Sequence, residues 1–319
     1  KNSRIHSHHK GKFMKISVVI PVYNEVESLR ELHQQLTQSL SSFEAYEILF
    51  IDDGSTDGSV DLIRLLSETD NHINLIQFHR NYGKSAALSE GFKYAEGDYI
   101  VTMDGDLQDD PAEIPNLVRK LEEGYDLVSG WKKDRKDPIS KTVPSKLFNF
   151  VTRLFTGVNI HDFNCGLKIY RKAVVKTLDI YGGRHRYIPA LAGQKKFKVT
   201  EIIVHHRPRI HGETKYGGAR LFHGFFDLIS ILFLSKYIQS PIYFFGQIGL
   251  FTFLIGLAIE CYVLYLKYFM GEPFAKHIAL LMLGVLIIVV GIQFFSIGLV
   301  GEMIANSNQD KESRVKGLF

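Results

Sequence analysis

The chain has 319 residues, 45% of them hydrophobic and 23% charged, with two cysteines and a formal net charge of +4. This length exceeds one small domain, and the apolar content excludes a chain that is disordered throughout. The mild charge gives no reason to expect nucleic acid as a partner, and two cysteines exclude a disulfide framework and fit a reducing compartment.

The first residues, 1–13, are basic and lack the apolar core of a signal peptide. We interpret them as a tail or a tag. The following segment "ISVVIPVYNEVESLRELHQQL" is an apolar run, a turn and an amphipathic stretch. It predicts a buried strand that leads into a helix.

A second strand, "YEILF", runs directly into "IDDGSTDGS". Carboxylates at the C-terminal end of a strand lie where open α/β sheets bind ligands, which makes Asp52 and Asp53 candidates. The alternative is a loop that only caps the next helix.

A third strand ends in the same way, because "GDYIVTMDGDLQDDP" places Asp104 and Asp106 after the apolar run Tyr99 to Met103. Two acidic strand ends in one sheet repel each other unless a cation or a donor group neutralises them. A divalent metal is the simplest such group.

Two later segments are basic. "SGWKKDRKDPISKTVPSKLFNF" predicts a phosphate-binding segment, with a solvated loop near anionic lipid headgroups as the alternative. "RPRIHGETKYG" combines cations with glycines, which suits a mobile lid. We interpret His205, His206 and His211 as loop residues, since no further ligands follow at metal-site spacing.

The C-terminal third is apolar. "ARLFHGFFDLISILFLSKYIQSP" predicts an amphipathic helix in the membrane interface. Tyr243 to Leu266 and Ile278 to Val300 are each long enough to cross a hydrocarbon core of roughly 30 Å, with buried helices of a soluble core as the alternative. Basic residues outside the pair predict that both termini are cytoplasmic. Glu260 interrupts the first span. Three roles are open for it: a functional residue, a contact between subunits of an oligomer, or a residue that reaches the lipid headgroups.

In this order, "IPVYNE", "IDDGSTDGS", "HRNYGKSAALSEGF" and "DGDLQDDP" resemble the family 2 glycosyltransferases. The later "DFNCGLKIYRK", "RIHGETKYG" and the hairpin resemble the polyisoprenyl-phosphate branch, relatives of dolichol-phosphate mannose synthase and the bactoprenol glucosyltransferases. The resemblance implies a GT-A, Rossmann-like α/β fold with a mostly parallel sheet flanked by helices, followed by the amphipathic helix and a two-helix transmembrane hairpin.

The resemblance also implies roles for individual residues. For the nucleotide sugar it implies Pro21, Tyr23, Glu25, Asp53, Lys84 and Asp104. For Mg²⁺ or Mn²⁺ it implies Asp104, Asp106 and Gln108. For the acceptor phosphate it implies Lys132, Arg135, Lys141 and Ser145. For catalysis it implies Asp106, Asp162, Arg209 and Lys215, with Asp162 as a base or as an orienting group.

The resulting hypothesis is an inverting, metal-dependent transferase that moves a hexose from a nucleotide sugar to polyprenyl phosphate at the cytoplasmic membrane face. UDP-glucose is our first choice of donor and GDP-mannose our second. A processive polysaccharide synthase would need a Gln-X-X-Arg-Trp motif, whereas the single tryptophan, Trp131, follows Gly130. A catalytically inactive membrane subunit would have no reason to keep Asp104 and Asp106.

We therefore expect five regions and a membrane-bound homo-oligomer, a dimer or a tetramer. The regions are a tail (1–13), a catalytic domain (14–218), a juxtamembrane helix (219–240), a transmembrane hairpin (241–305) and a cytoplasmic tail (306–319).

Overall fold

A computed structural model describes residues 14–133, 149–154, 156–178, 180–207 and 240–309 of the chain. The chain divides into two compact units, Lys1–Ile231 and Leu232–Phe319. The predicted amphipathic helix lies outside the described residues except for its last position.

The first unit is built on a seven-stranded sheet with the order β3-β2-β1-β4-β6-β5-β7. The strands are β1 (Lys15–Val22), β2 (Ala45–Asp52), β3 (Ile73–Gln77), β4 (Tyr99–Thr102), β5 (Leu127–Trp131), β6 (Lys168–Arg171) and β7 (Val199–Ile203). All neighbouring pairs are parallel except those of β6, which runs antiparallel to β4 and β5. The predicted α/β class and mostly parallel sheet are confirmed.

Helices cover both faces of this sheet. The main ones are α1 (Val26–Leu40), α2 (Ser59–Thr69), α3 (Lys84–Tyr94) and α4 (Ile114–Glu122), followed by the short helices Lys172–Thr177 and Ile188–Gln194. The apolar stripe of α1, which includes Leu29, Leu32 and Leu36, is buried in one core layer with β1. Burying each leucine contributes roughly 1.5 to 3 kcal/mol. On the other face, Leu88 and Phe92 of α3 belong to a second layer.

The register of the sheet brings several loops to one edge. Val22 at the end of β1 pairs with Asp52 at the end of β2, and Thr102 at the end of β4 pairs with Val19. Because β6 is antiparallel, its first residue, Lys168, pairs with Thr102. The carboxyl ends of three strands and the beginning of a fourth therefore meet at the same edge.

The second unit consists of two apolar helices, Pro241–Tyr268 and Ile278–Gln309. The candidate membrane spans, Pro241–Tyr268 and Phe274–Ala305, have mean hydropathies of 2.0 and 2.8, and only 17% and 11% of their most apolar stretches is buried. A core helix of a soluble protein buries its apolar residues, whereas these expose them. We therefore treat the pair as membrane helices.

The two helices approach closely at glycines. A β-carbon added to Gly291 would lie 2.7 Å from the backbone nitrogen of Phe253 and 2.8 Å from the carbonyl oxygen of Gly249. The rings of Phe245 and Phe294 are stacked with centroids 6.5 Å apart. Small residues allow such backbone contact in membranes, where association depends on packing. The helices therefore run antiparallel as a hairpin.

Glu260 faces the interface of this hairpin. Its Oε1 atom is buried and has no hydrogen-bond partner among the described residues. A β-carbon on Gly284 would overlap with that oxygen, so the glycine makes room for the carboxyl group.

Gly291→Ala tests the close packing of the hairpin. The added methyl group would meet backbone atoms that cannot rotate away, so we expect a loss of about 1 to 3 kcal/mol in stability. The measurement is unfolding in mixed micelles by increasing SDS, followed by helical ellipticity.

The matched control is Gly246→Ala, whose β-carbon would meet only side-chain atoms, at 3.4 Å or more. Equal stability of the two variants would show that the helices do not pack through Gly291.

Candidate active site

The turn after β4 carries the first group of candidate residues. Asp104 follows the buried Met103, and Asp106 is itself buried. Asp106 Oδ1 accepts a hydrogen bond of 3.2 Å from the backbone of Gln108. Between them, Leu107 has a φ of 62°, a conformation that costs of order 1–3 kcal/mol in a branched residue, and its buried side chain offsets that strain.

The loops after β1 and β2 are joined by hydrogen bonds. The backbone of Asn24 donates to Ser55 Oγ at 2.9 Å, and Asn24 Oδ1 accepts from the backbone of Thr56 at 2.8 Å. Asp52 accepts from the backbone of Gly54 and Ser55, both at 3.2 Å. Many acceptors in "IDDGSTDGS" therefore bind the protein's own backbone.

Asp53 anchors the loop that precedes α3. Its two carboxylate oxygens accept hydrogen bonds from the backbone of Tyr82 at 2.6 Å and of Gly83 at 2.9 Å. Burial raises the pKa of this carboxyl group above its usual range, although the two backbone hydrogen bonds favour the charged form. This anchoring role was not predicted, and the contact of Asp53 with a nucleobase stays a prediction.

The anchored loop leads to Lys84, the first residue of α3, which forms an ion pair with Asp104 Oδ1. Burial acts to raise the pKa of Asp104, but the ammonium groups of Lys84 and Lys132 outweigh it and lower the pKa to about 2. In the same pair, Asp104 raises the pKa of Lys84 against the effect of burial. Both groups are therefore charged at neutral pH.

A second, deeper ion pair joins Lys132 and Asp109. Lys132 Nζ lies 2.8 Å from Asp109 Oδ1, and the exposed fractions of the two side chains are 11% and 1%. Asp109 Oδ2 also accepts a hydrogen bond of 3.2 Å from the backbone of Asp104. A β-carbon on Gly166 would lie 2.7 Å from Asp109 Oδ2 and 2.8 Å from Asp104 Oδ2, so both carboxylates can lie here only beside a glycine.

Lys132 has a partner within the protein that was not predicted from the sequence, the carboxylate of Asp109. We predicted Lys132 as a ligand of the acceptor phosphate, and the structure places its ammonium group against Asp109. Asp109, which was not assigned a role, therefore connects the β4 turn to the end of β5. Its signal in the sequence is the third acidic residue of "DGDLQDDP", which by itself cannot be distinguished from a solvated carboxylate.

A small cavity of about 10 Å³ adjoins Asp104, with Lys84, Lys168 and His185 in its lining. Lys168 is buried, donates to the carbonyl of Cys165, and has its pKa lowered by burial. Burial and the nearby Lys84 lower the pKa of His185 to about 3, so its ring is neutral at pH 7. Sequence reasoning missed Lys168 and His185.

Two residues from "DFNCG" are also buried here. Asp162 Oδ1 accepts a hydrogen bond of 3.1 Å from the backbone of Asn164. Burial raises the pKa of the Cys165 thiol to about 12, so it is not a thiolate nucleophile at neutral pH.

The chain from 204 to 207 lies against the β4 turn. His206 forms a β-bridge with Asp109, and Arg207 pairs with Asp110 at 2.7 Å. The predicted loop histidines His205 and His206 contact this turn. No group of three or more His, Cys, Asp or Glu side chains suitable for a metal occurs within the described ranges.

The remaining predicted site residues divide into two groups. Pro21, Tyr23 and Glu25 are partly buried at the end of β1. The predicted acceptor residues Arg135, Lys141 and Ser145, the predicted lid residues Arg209 and Lys215, and the predicted loop histidine His211 lie outside the described residues.

Comparison with known proteins gives a consistent result. The family model for glycosyl transferase family 2 matches residues 17–179. The chain is 35% identical over 300 residues to a dodecaprenyl-phosphate galacturonate synthase of Rhizobium johnstonii. The aligned region covers 92% of this chain and 88% of the relative. It is 37% identical over 302 residues to an undecaprenyl-phosphate 4-deoxy-4-formamido-L-arabinose transferase of Salmonella paratyphi B. That aligned region covers 94% of this chain and 91% of the relative.

Among solved structures, glucosyl-3-phosphoglycerate synthase from Mycobacterium tuberculosis, crystallised with Mn²⁺ and UDP-glucose, has a TM-score of 0.55. The match covers 70% of this chain and 79% of that chain at 21% identity. This likeness supports the fold alone.

Lys132→Met tests the buried ion pair. The change leaves the Asp109 carboxylate buried without its cation, so we expect a loss of about 3 to 5 kcal/mol in the free energy of unfolding. The measurement is denaturant unfolding of the full chain in micelles, followed by far-ultraviolet circular dichroism.

Two further variants serve as controls. Lys133→Met removes the neighbouring exposed cation and should change little. Lys132→Met with Asp109→Asn should recover most of the loss, because the amide oxygen still accepts from Asp104 and no charge is buried. A double variant as unstable as Lys132→Met would contradict the pairing.

Proposed function

Because the chain belongs to glycosyl transferase family 2, we propose that it transfers a sugar from a nucleotide sugar to polyprenyl phosphate at a membrane surface. One observation supports the proposal most strongly. The carboxyl edge of the sheet carries Asp104 and Asp106, and three cations lie near Asp104, namely Lys84, Lys132 and Lys168. The same chain also has an apolar hairpin. The two curated relatives differ in their sugar and share a polyprenyl phosphate in their names.

The order of the strands suggests how the donor lies along the edge. The loops after β2 and β1 are on one side of β4 and contain Asp53, Tyr23 and Glu25. We assign the nucleoside to these loops and the diphosphate to the β4 turn. The sugar then extends toward β6, where Lys168 begins the strand.

The β4 turn also fits a divalent cation. Asp104, Asp106 and the side-chain amide of Gln108 supply hard oxygen ligands, which Mg²⁺ and Mn²⁺ prefer. The ion pair of Asp104 with Lys84 shows that this carboxylate already binds a cation. When bound, a divalent ion neutralises the negative charge of the departing diphosphate.

The acceptor needs little activation. A phosphate monoester has a second pKa near 6, so it is largely dianionic at neutral pH. We assign Arg135, Lys141 and Ser145 to this phosphate and Arg209 and Lys215 to the diphosphate, while Lys132 stays paired with Asp109. A direct displacement by the phosphate inverts the sugar carbon, and the buried Asp162 acts as an orienting group rather than as a base.

The identity of the sugar is the finer part of the proposal. UDP-glucose stays our first choice and GDP-mannose our second, while the relatives add galacturonate and formamido-arabinose donors to those worth testing. We place the catalytic unit on the cytoplasmic side because of the basic residues outside the two spans.

The test is a transfer assay with the purified full chain. We expect polyprenyl phosphate and one member of a labelled panel (UDP-glucose, GDP-mannose, and nucleotide donors of galacturonate and of 4-deoxy-4-formamido-L-arabinose) to give a labelled lipid. EDTA should abolish this product, and Asp106→Asn should lower the rate at least about 10²-fold, the scale for losing a charged transition-state partner.

The matched control is Asp61→Asn, which removes an exposed carboxylate of α2 and should leave the rate unchanged. Full transfer in EDTA would refute the metal. Hydrolysis of donors without labelled lipid would refute the acceptor.

A further inference from the structure

Lys84 occupies the position that a cation would take on Asp104. Its ammonium group lies on Asp104 Oδ1, and the exposed fractions of the two side chains are 32% and 35%. The loop that delivers Lys84 is fixed by the hydrogen bonds from Tyr82 and Gly83 to Asp53. The pair is therefore built into the fold at the open edge of the sheet.

The other two lysines of the cluster are held more firmly. Lys132 is buried against Asp109, and Lys168 is buried against the carbonyl of Cys165. Moving Lys132 away would leave a buried carboxylate without its cation. Of these three lysines, Lys84 is the one that can leave its partner without burying an unpaired charge.

The described cluster already holds several cations. The ammonium groups of Lys84, Lys132 and Lys168 all act on Asp104, and Lys132 also pairs with Asp109. A divalent ion that arrives alone adds two positive charges beside three ammonium groups, which repel it. A diphosphate that arrives with the ion brings negative charge that offsets this repulsion.

We propose that Lys84 competes with the divalent ion for Asp104 and moves onto the diphosphate of the donor when the ion binds. Lys84 is then a donor-binding residue that makes metal and nucleotide bind together and keeps the free metal weakly bound. The inference rests on the proposed function for the identity of the diphosphate. The competition on Asp104 does not depend on it.

The test measures binding without turnover. Free Mn²⁺ is titrated into the full chain in micelles and followed by its electron paramagnetic resonance signal, with and without UDP. In Lys84→Met we expect free Mn²⁺ to bind at least about tenfold more tightly than in wild type. UDP at saturating Mn²⁺ should bind about tenfold more weakly, as expected for a lost charge-assisted contact to phosphate.

The coupling between the two ligands gives a second readout. The factor by which UDP tightens Mn²⁺ binding equals the factor by which Mn²⁺ tightens UDP binding. We expect this factor to fall at least tenfold in Lys84→Met and in Lys84→Gln. Lys84→Arg, which keeps the charge, should retain the wild-type coupling factor between UDP and Mn²⁺.

The matched control is Lys93→Met, an exposed lysine of the same helix that pairs with Glu90 at 2.6 Å. Free Mn²⁺ affinity in Lys84→Met within about twofold of this control, with both variants folded by circular dichroism, would overturn the inference. Failure of wild type to bind UDP at any Mn²⁺ concentration would instead refute a uridine nucleotide as the donor of the proposed function.

Discussion

The arrangement of this site depends on one electrostatic constraint: Asp104 and Asp109 lie side by side against Gly166 and must be neutralised there. Two carboxylates in a partly dry environment destabilise each other unless cations are close. Lys132 neutralises the deeper carboxylate and Lys84 the shallower one. The deeper pair belongs to the fold, and the shallower pair leaves a carboxylate available to a ligand.

The topology of the sheet brings further residues to the same two carboxylates. A purely parallel sheet would present only strand ends at its carboxyl edge, whereas the antiparallel β6 presents its beginning. Lys168 therefore lies beside Thr102, and Gly166 lies beside the two carboxylates. The hydroxyl group of Thr102 donates a hydrogen bond of 2.9 Å to the carbonyl of Gly166, which connects the segment before β6 to β4.

Much of this organisation can be predicted from the sequence. The apolar runs of β1, β2 and β4 and the acidic residues after them are local signals, and so is the hydropathy of the hairpin. The partners of Lys84, Lys132 and Asp53 are not local, because each contact joins residues 20 or more positions apart. A lysine that neutralises a buried aspartate cannot be distinguished in sequence from a solvated lysine of a basic loop.

The central claim is that a divalent ion and the diphosphate of a nucleotide sugar bind together at the β4 turn and displace Lys84 from Asp104. The most direct measurement is an experimental structure of the full chain with Mn²⁺ and UDP, with the ion located by its anomalous signal. The predicted result is an ion bound by Asp104 and Asp106, with the Lys84 ammonium on a phosphate oxygen. A bound nucleotide with Lys84 still on Asp104, or an ion located away from Asp106, would contradict the claim.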